Sequence, residues 1–240
     1  LRANDPLFWR SLWNTAYMVV FGVPATLAAS LGIALLLNAR VRGIRAYRVL
    51  FYIPVMVPAV VTALIFLWML NPETGFVNYG LNLALRPFGL SAPAWFTEPE
   101  WTKPGVILLL VWGCGGTVII WLAGLQSLPA QVYEAALIDG AGPWQRFTRI
   151  TLPLLTPYAL FLWVMGTIGA LQLFTQAYII AVNMWSESLL FYALYLFQRA
   201  FRYFEMGYAS AMAWVLFLVT AAVCLWQLRI SRRWVHYENE

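Results

Sequence analysis

The segment YEAALIDGAG, residues 133–142, places two carboxylates and two glycines between long apolar stretches of the chain. Glu134 and Asp139 lie five residues apart, which on a helix is about 500° of rotation, so the two carboxylates do not share a face. General acid–base chemistry needs both groups close to one substrate, and no histidine or metal-binding cluster accompanies them in the sequence. The segment therefore does not predict a catalytic pair, and the surrounding sequence decides its meaning.

The composition on either side is that of a membrane protein. The chain is 62% hydrophobic and 10% charged, whereas soluble domains are about 45–50% apolar and about 25% charged. A helix needs roughly 20 apolar residues to cross a bilayer. We predict an all-α membrane protein, a polytopic bundle with five transmembrane helices, from five blocks without Asp, Glu, Lys, Arg or His: residues 13–37, 49–70, 105–126, 157–182 and 206–228.

The basic residues indicate the orientation of these helices. Nine of the fifteen lie on one side of the predicted spans, which the positive-inside rule makes cytoplasmic. We therefore expect an external N-terminus, a cytoplasmic C-terminus and a cytoplasmic segment 127–156. An external start with no leading methionine predicts one more transmembrane helix before residue 1, giving six. The nine residues are Arg40, Arg42, Arg45, Arg48, Arg146, Arg149, Arg229, Arg232 and Arg233.

Side chains suited to catalysis or metal binding are scarce in this sequence. Cys114 and Cys224 lie inside predicted spans, where we expect small apolar core residues rather than a disulfide or a metal pair, and His236 is the only histidine. There is no GxxxxGK[ST] phosphate loop, and the only lysine, Lys103, falls on the predicted external side. We expect no metal and no cofactor bound by this chain, and its net charge of +5 needs no nucleic acid to explain it.

Polar residues in the fourth predicted helix mark a candidate solute path. Gln172, Thr175 and Gln176 are spaced i, i+3 and i+4, which on an unbroken helix places them on one face, and Asn183 lies at the end of the same helix. Amides in hydrocarbon need hydrogen-bonding partners. This face therefore either forms interhelical hydrogen bonds or lines a wet path for a neutral, hydroxyl-rich solute.

Two other segments shape the predicted external side. Pro54 and Pro58 interrupt the second predicted helix, either as packing kinks or as part of a flexible, pore-lining segment. Residues 71–104 form a long external loop, in which we expect a short interfacial helix around residues 77–85. This loop either contacts an external partner or only caps the bundle.

Residues 127–156 predict two short helices joined by a turn. Ser127 is a candidate N-cap for the first helix, followed closely by a proline. Gly140 suits the end of that helix, and Pro153 is expected to end the second.

The stretch EAALIDGAGPWQRFTRITLPLLTP, residues 134–157, resembles the conserved cytoplasmic loop of binding-protein-dependent ABC importer permeases. That family pattern is E-A-A, three residues, G, nine residues, I, one residue, L-P. All its fixed positions are matched, by Glu134, Ala135, Ala136, Gly140, Ile150, Leu152 and Pro153. The fuller carbohydrate-permease version is matched by Asp139, Ala141, Gln145, Phe147 and Pro157.

The resemblance to permeases of the maltose and glycerol-phosphate type covers nearly the whole chain. It extends to NTAYMVV in the first helix, YIPVMVPAVVTALIFLWML in the second and AFRYFEMGYASAMAWVLFLV near the end. Where such permeases commonly have a Gly-Gly-Pro turn, this chain has AVNMWSESLL, so substrate preference is not carried over from that region.

The resemblance implies a type I ABC importer permease fold, with residues 1–240 forming a single transmembrane permease domain. It implies that the 127–156 loop is a coupling loop that inserts into a groove of a cytoplasmic ATPase. It also implies the partners: a second permease subunit in a heterodimer, two ATP-binding cassette subunits that bind the ATP, an external solute-binding protein and the lipid of a bacterial or archaeal inner membrane. The implied coupling residues are Tyr133, Glu134, Ala135, Ala136, Leu137, Asp139, Gly140, Ala141, Trp144, Arg146 and Phe147.

We therefore predict a non-enzymatic permease subunit that imports a sugar or related polyol, with Gln172, Thr175, Gln176 and Asn183 along the path. Import of another solute, such as a glycerol phosphodiester or a polyamine, is one alternative, which charged residues within the spans would favour. A non-catalytic assembly subunit is another. A membrane-embedded enzyme would need His, Asp or Glu clustered at membrane depth, and the spans contain none.

Overall fold

The computed structural model describes residues 5–39, 43–184 and 186–235, and all regular secondary structure in these ranges is helical. The expectations attached to Arg40, Arg42 and His236 lie outside the described residues. Within these ranges, three helices are long and apolar enough to cross a membrane, and the number rises to five if each of two bent helix pairs is one span. The five predicted spans correspond to this larger count.

The first span is α1, Pro6–Asn38, which contains a π-helical turn at Met18–Gly22. Its start is capped by Asp5, whose Oδ1 accepts backbone N–H bonds from Leu7 at 3.1 Å and Phe8 at 3.3 Å. A carboxylate at the N-cap followed by proline at the first helical position is a strong start signal, because it satisfies donors that the helix itself leaves unpaired.

The second and third spans are each broken into two helices. Helices α2, Ile44–Met56, and α3, Ala59–Met69, meet at an angle of 101°. The prolines of this span were expected to bend it; Pro58, which lacks an N–H donor, lies at the break. The third predicted helix is also not continuous: α5, Pro99–Trp112, and α6, Gly115–Ser127, are bent by 52° at Gly113 and Cys114.

The remaining elements follow the predicted blocks, with one further break. Helix α4, Phe76–Leu85, is the short helix expected in the 71–104 loop, and the fourth span divides into α9, Thr156–Leu171, and α10, Thr175–Asn183. The others are α7, Ala130–Ile138; α8, Pro143–Arg146, which continues through a π turn at Phe147–Thr151 and a turn at Leu152–Leu154; α11, Tyr192–Phe197, which continues as a π turn at Gln198–Arg202; α12, Met206–Ser231; and short 3₁₀ turns at Arg86–Phe88 and Glu187–Leu189.

The helices pack so that α1 lies along α6, α3 along α10, and α9 along α12. Buried polar pairs join the helices within this apolar packing. Trp121 donates its Nε1–H to Ser30 Oγ at 3.1 Å between α6 and α1, and Gln227 Nε2 donates to Thr167 Oγ1 at 2.7 Å between α12 and α9. The side chains of Ser30, Trp121, Thr167 and Gln227 therefore hydrogen-bond between helices and do not contribute to a solute path.

The 71–104 segment is folded around one amide. Asn78 is buried and donates to the carbonyl oxygens of Leu70, at 3.3 Å, and Pro93, at 3.2 Å. Its Oδ1 accepts the indole N–H of Trp95 at 2.8 Å. Because one side chain ties α3, α4 and the following loop together, this segment is an integral part of the fold.

The two cysteines are free thiols, as expected; Cys114 is buried and Cys224 half-buried. Of the three glycines near the break of the third span, Gly115 makes the closest helix contact. A Cβ added there would lie 2.5 Å from the carbonyl oxygen of Phe51 and 2.7 Å from Cγ2 of Val55, whereas one added at Gly116 meets no atom within 4 Å. Contact between α6 and α2 therefore requires glycine at position 115.

We expect Gly115→Ala to destabilise the protein by about 1–3 kcal/mol, because the added methyl group forces α2 away from α6. The matched variant Gly116→Ala is expected to change stability by less than about 0.5 kcal/mol. Thermal unfolding of both purified variants in lipid nanodiscs tests this, and equal melting temperatures would show that the α2–α6 contact does not depend on the missing side chain.

Candidate functional site

Two regions are candidates for function: the 127–156 loop and a cavity between the spans.

The loop leaves the bundle between two helices, α6 and α9, that are fastened together. A Cβ added at Gly124 would lie 2.9 Å from the Tyr158 ring, and Ser127 Oγ lies 3.0 Å from Tyr158 Oη. Ser127 thus ends α6, and its prediction as the N-cap of the next helix is wrong because Pro129 occupies that position.

The turn after α7 is closed by backbone hydrogen bonds. The N–H of Gly140 bonds to the carbonyl of Leu137 at 3.1 Å, and that of Ala141 bonds to the carbonyl of Ala136 at 2.9 Å. This is the Schellman arrangement, which needs a left-handed residue after the helix. Gly140 has φ +74°, so the predicted helix end at this glycine is confirmed.

The second arm of the loop is longer than predicted. Gln145 Oε1 accepts the backbone N–H of Gly142 at 3.1 Å and so caps α8. The helical path then continues through the π turn and past Pro153 to Leu154. The prediction that Pro153 ends this helix is wrong: the proline stands at the start of a new turn, where its missing N–H costs little.

Two of the predicted coupling residues, Tyr133 and Phe147, also hold the loop together. Tyr133 Oη lies 2.8 Å from Thr151 Oγ1 and links α7 to the second arm, and both Tyr133 and Phe147 are half-buried. The Phe147 ring packs against Trp144, with centroids 5.7 Å apart. These contacts make the two arms one stiff unit.

The outer surface of the loop is strongly apolar. Helix α7 has no buried residue, and the side chains of Leu137, Ile138 and Trp144 are 55%, 87% and 73% exposed. Apolar groups this exposed on a protruding loop indicate a partner surface. Ile138 was missed by the sequence-based list, although its position beside Leu137 in a short helix could have identified it.

The charged groups of the loop have no ion-pair partner within the described part of the chain. Glu134 and Asp139 are exposed, and neither carboxylate forms a salt bridge or hydrogen bond there. Arg146 Nε is buried and likewise has no hydrogen-bond partner in the described ranges. The backbone carbonyls of Ala135 and Ala136 accept the hydrogen bonds that close the end of α7. Between Glu134 and Asp139, these two alanines present only methyl groups.

The second region is a cavity of about 450 Å³ among α1, α5, α6, α9 and α10, here named the central cavity. The π turn of α1 lines it with Met18 and Gly22, and the break between α5 and α6 lines it with Gly113 and Cys114. The break between α9 and α10, residues 172–174, lines the same space. Three irregular points of three spans therefore meet at one cavity.

The predicted path residues reach this cavity, but not in the predicted way. Gln172, Thr175 and Gln176 all line it, yet they do not lie on one continuous helical face. The helix ends at Leu171, and Gln172 has φ −102° and ψ 17°, outside α9. The fourth residue, Asn183, does not line the cavity; its Nδ2 donates to the carbonyl of Ile179 at 2.8 Å.

The lining of the central cavity is uncharged. Besides Gln172, Thr175 and Gln176, its polar side chains are Thr26 and Thr117, which sequence reasoning missed because isolated threonines are common in apolar helices. Glycines, aliphatic and sulfur-containing side chains and the ring of Phe174 form the rest. A wall with amides, hydroxyls and no ionised group suits a neutral polar solute.

A buried ionic cluster joins the start of α1 to the last two helices. The Oδ2 atom of Asp5 accepts hydrogen bonds from Tyr195, from Tyr208 at 3.0 Å and from Arg199 at 3.1 Å. Burial alone would raise the pKa of Asp5, but the hydrogen bonds from Tyr195, Tyr208 and the Phe8 N–H, together with the positive charge of Arg199, outweigh it and hold the pKa below its usual value. Arg199 also pairs with Glu205 at 3.0 Å.

A bundle of broken spans around an uncharged cavity, carrying a stiff apolar hairpin, defines a membrane transport subunit. The comparisons with known proteins make this specific: residues 13–236 match the family described as "Binding-protein-dependent transport system inner membrane component". The chain belongs to this family and is a permease subunit of an ABC importer.

Relatives and solved structures agree with this assignment. The chain is 43% identical to "Probable ABC transporter permease protein YesP" of Bacillus subtilis, over 99% of this chain and 76% of that protein. It is 36% identical to "Sulfoquinovosyl glycerol transport system permease protein SmoG" of Agrobacterium fabrum, over 95% of this chain and 73% of that protein. Crystal structures of a bacterial alginate ABC transporter, one with alginate pentasaccharide-bound periplasmic protein, match with TM-score 0.81 and 27% identity, over 96% of this chain and 80% of theirs.

We expect Gly140→Ala to loosen the 127–156 loop, because a Cβ in the left-handed region costs about 1–2 kcal/mol. No atom lies within 4 Å of the added group, so the effect comes from the backbone alone. Limited proteolysis of the loop should accelerate roughly five- to thirtyfold. Gly142→Ala, where space is equally open and φ is −67°, is the matched control; equal cleavage of both variants would refute the turn's role.

Proposed function

We propose that this permease subunit forms part of the path of an ATP-driven sugar importer and that its 127–156 loop docks into a separate cytoplasmic ATPase. The observation that carries the proposal is the convergence of three broken or irregular helices on the uncharged central cavity. Discontinuous membrane helices are typical of solute sites in transporters, since their freed backbone groups can bind a polar solute.

The chemistry of the cavity favours a carbohydrate or polyol over a charged solute. Gln172, Thr175 and Gln176 offer hydrogen-bond donors and acceptors, and Phe174 adds an aromatic ring to the lining. A glycerol phosphodiester or a polyamine would require opposite charges, which the lining does not contain. One relative is named for transport of sulfoquinovosyl glycerol and the structural neighbour for import of alginate. Both solutes are acidic carbohydrates, so they support the carbohydrate class, while the preference for a neutral solute rests on the cavity lining alone.

The loop is connected to the cavity by two rigid helices. Helix α6 runs from Gly115 beside the cavity to Ser127 at the loop, and α9 runs from Thr156 at the loop to Leu171 beside the cavity. Because Ser127 and Tyr158 fasten their loop ends together, a displacement of the loop moves both helices as one. This arrangement supports a coupling role for the loop. An ATPase then packs against the apolar surface around Ile138 and contacts Glu134, Asp139 and Arg146.

The complete assembly follows from the same proposal. The chain pairs with a second permease subunit, two ATP-binding cassette subunits supply ATP hydrolysis, and an external binding protein delivers the solute. The loop and the C-terminus are cytoplasmic and the N-terminus external, as the distribution of arginines indicates. The 71–104 segment, folded around Asn78, then faces the binding protein.

Uptake by the reconstituted complex tests the proposed path. The expected result is ATP-dependent uptake of at least one radiolabelled carbohydrate from a panel of sulfoquinovosyl glycerol, lactose, an arabinotriose and an alginate trisaccharide. Gln172→Ala with Gln176→Ala should raise the half-saturating concentration at least about fivefold, since each lost hydrogen bond contributes about 1 kcal/mol. Asn183→Ala, outside the cavity, is the control, and equal effects of both changes would contradict the path.

Glu134→Lys is expected to weaken ATPase association, because it reverses a charge beside the apolar docking surface. Co-purification of the ATPase with a tagged permease should fall several-fold, while the permease itself is recovered in the same amount. Glu73→Lys reverses an equally exposed carboxylate on the 71–104 segment and should have no effect. Full ATPase recovery with Glu134→Lys, together with normal uptake, would count against docking through this loop.

A further inference from the structure

A second cavity, here named the aromatic cavity, lies between α10 and the α11 segment and has a volume of about 1080 Å³. It differs from the central cavity in chemistry, because arginine and several aromatic rings line it. Tyr178 on α10 and Phe197, Phe201 and Tyr203 on the α11 side supply the rings, and Gln198 and Arg202 add polar groups. This cavity has no role in the path described so far.

A continuous series of aromatic rings joins the two cavities. Phe174 lines the central cavity, and its ring stacks on Tyr178 with centroids 5.5 Å apart and a 25° angle between planes. Tyr178 meets Phe197 at 5.4 Å, and Phe197 meets Phe201 at 5.1 Å. Phe174 also contacts Phe197 directly at 5.0 Å. A single layer of rings therefore forms the shared wall between the central cavity and the aromatic cavity.

The wall of the aromatic cavity is held in place by the Asp5 cluster. The guanidinium of Arg199 bonds to Asp5 and Glu205 and lies 5.0 to 5.4 Å from the ring centroids of Tyr195, Tyr203 and Tyr208. These contacts fasten the π turn, and with it Phe197 and Phe201, to the start of α1. The ring surface is therefore built before any solute arrives, which reduces the entropy that binding must overcome.

Polar groups in the same wall argue against lipid as the occupant. Arg199 is neutralised, but the side chains of Gln198 and Arg202 form no hydrogen bond or ion pair in the part of the chain that the structure describes. Acyl chains would offer neither side chain a hydrogen-bond partner. Sugars suit both the rings and the polar groups of this wall, because their C–H faces pack on aromatic rings while their hydroxyls accept and donate hydrogen bonds.

We propose that the aromatic cavity is a carbohydrate subsite upstream of the central cavity, in which sugar rings stack on Phe201, Phe197 and Tyr178 and pass by way of Phe174. This inference rests on the proposed sugar import and narrows it to carbohydrates that can engage both cavities, that is, to chains of two or more sugar units or glycosides of similar length. Gln198 and Arg202 bind their hydroxyl or acidic groups.

Accessibility of the cavity is the first test, and it needs no knowledge of the substrate. In the assembled complex in proteoliposomes, Phe201→Cys should react with a membrane-impermeant maleimide added from the binding-protein side, well above the background from the two native cysteines. Absence of this reaction would show that the second permease or lipid covers the rings, and the proposal would be overturned.

Transport kinetics provide the second test, with the panel carbohydrate that wild type imports fastest. Phe201→Ala and Phe197→Leu should each raise its half-saturating concentration about three- to tenfold, the range expected for one lost aromatic contact, with the maximal rate of ATP hydrolysis retained. Phe217→Ala is the matched control, because Phe217 is 60% exposed on α12 and Phe201 is 59% exposed. The same carbohydrate should slow maleimide labelling of Phe201→Cys.

The outcomes separate this inference from the proposed function. If wild type imports a carbohydrate but both ring variants match Phe217→Ala, the aromatic subsite is refuted and sugar import stands. If wild type imports no member of the panel, the proposed function fails on the wild-type measurement alone, and the subsite fails with it.

Discussion

Backbone N–H and C=O groups within a bilayer have no water to bond to, and this constraint governs where the chain is allowed to be irregular. A break in a membrane helix is tolerated only where protein or a polar cavity can satisfy the freed groups. The π turn of α1, the α5–α6 break and the α9–α10 break all obey the constraint by lining the central cavity. The central cavity therefore lies where these three irregular points meet, whereas the 101° break between α2 and α3 lies away from it, at Pro58.

Two of these spans, the broken third and fourth, flank the 127–156 loop. Helices α6 and α9 each have one end at the loop and the other at a break. At a rise of 1.5 Å per residue, the 13 residues of α6 and the 16 residues of α9 make straight rods of about 20 and 24 Å. Their ends at the loop are joined to each other by Ser127 and Tyr158, whereas at the cavity each helix ends at a break in its span. The continuous helices therefore lie next to the proposed coupling loop, and the irregular segments lie next to the proposed solute cavity.

Sequence reasoning located the spans and the loop because their signals are local. Blocks of uncharged residues mark each span, and Gly140 marks a turn that requires a left-handed residue. The breaks in the third and fourth spans escaped such reasoning, unlike the one at Pro58: nothing in WGCGGT distinguishes a glycine that allows close packing from a glycine at which the helix stops. For the same reason the spacing of Gln172, Thr175 and Gln176 suggested one face, although the helix ends before the first of them.

Contacts between distant parts of the chain could not be predicted at all. Asp5 and Arg199 are separated by 194 positions, and only the folded bundle brings them together. The family resemblance implied a coupling role for Tyr133, and the structure adds that its hydroxyl joins the two arms of the loop. Burial and hydrogen-bond partners, which are properties of the tertiary structure, decide such roles, and residue type alone does not.

Rigid connection of the loop to the cavity has a thermodynamic consequence that works in both directions. If seating of the ATPase shifts the ends of α6 and α9 and thereby changes the affinity of the central cavity, then solute in that cavity must change the affinity of the loop for the ATPase by the same factor. The permease is then a sensor as well as a conduit. Under the proposed coupling, occupancy of the central cavity would be reported to the ATPase through two helices joined at Ser127 and Tyr158.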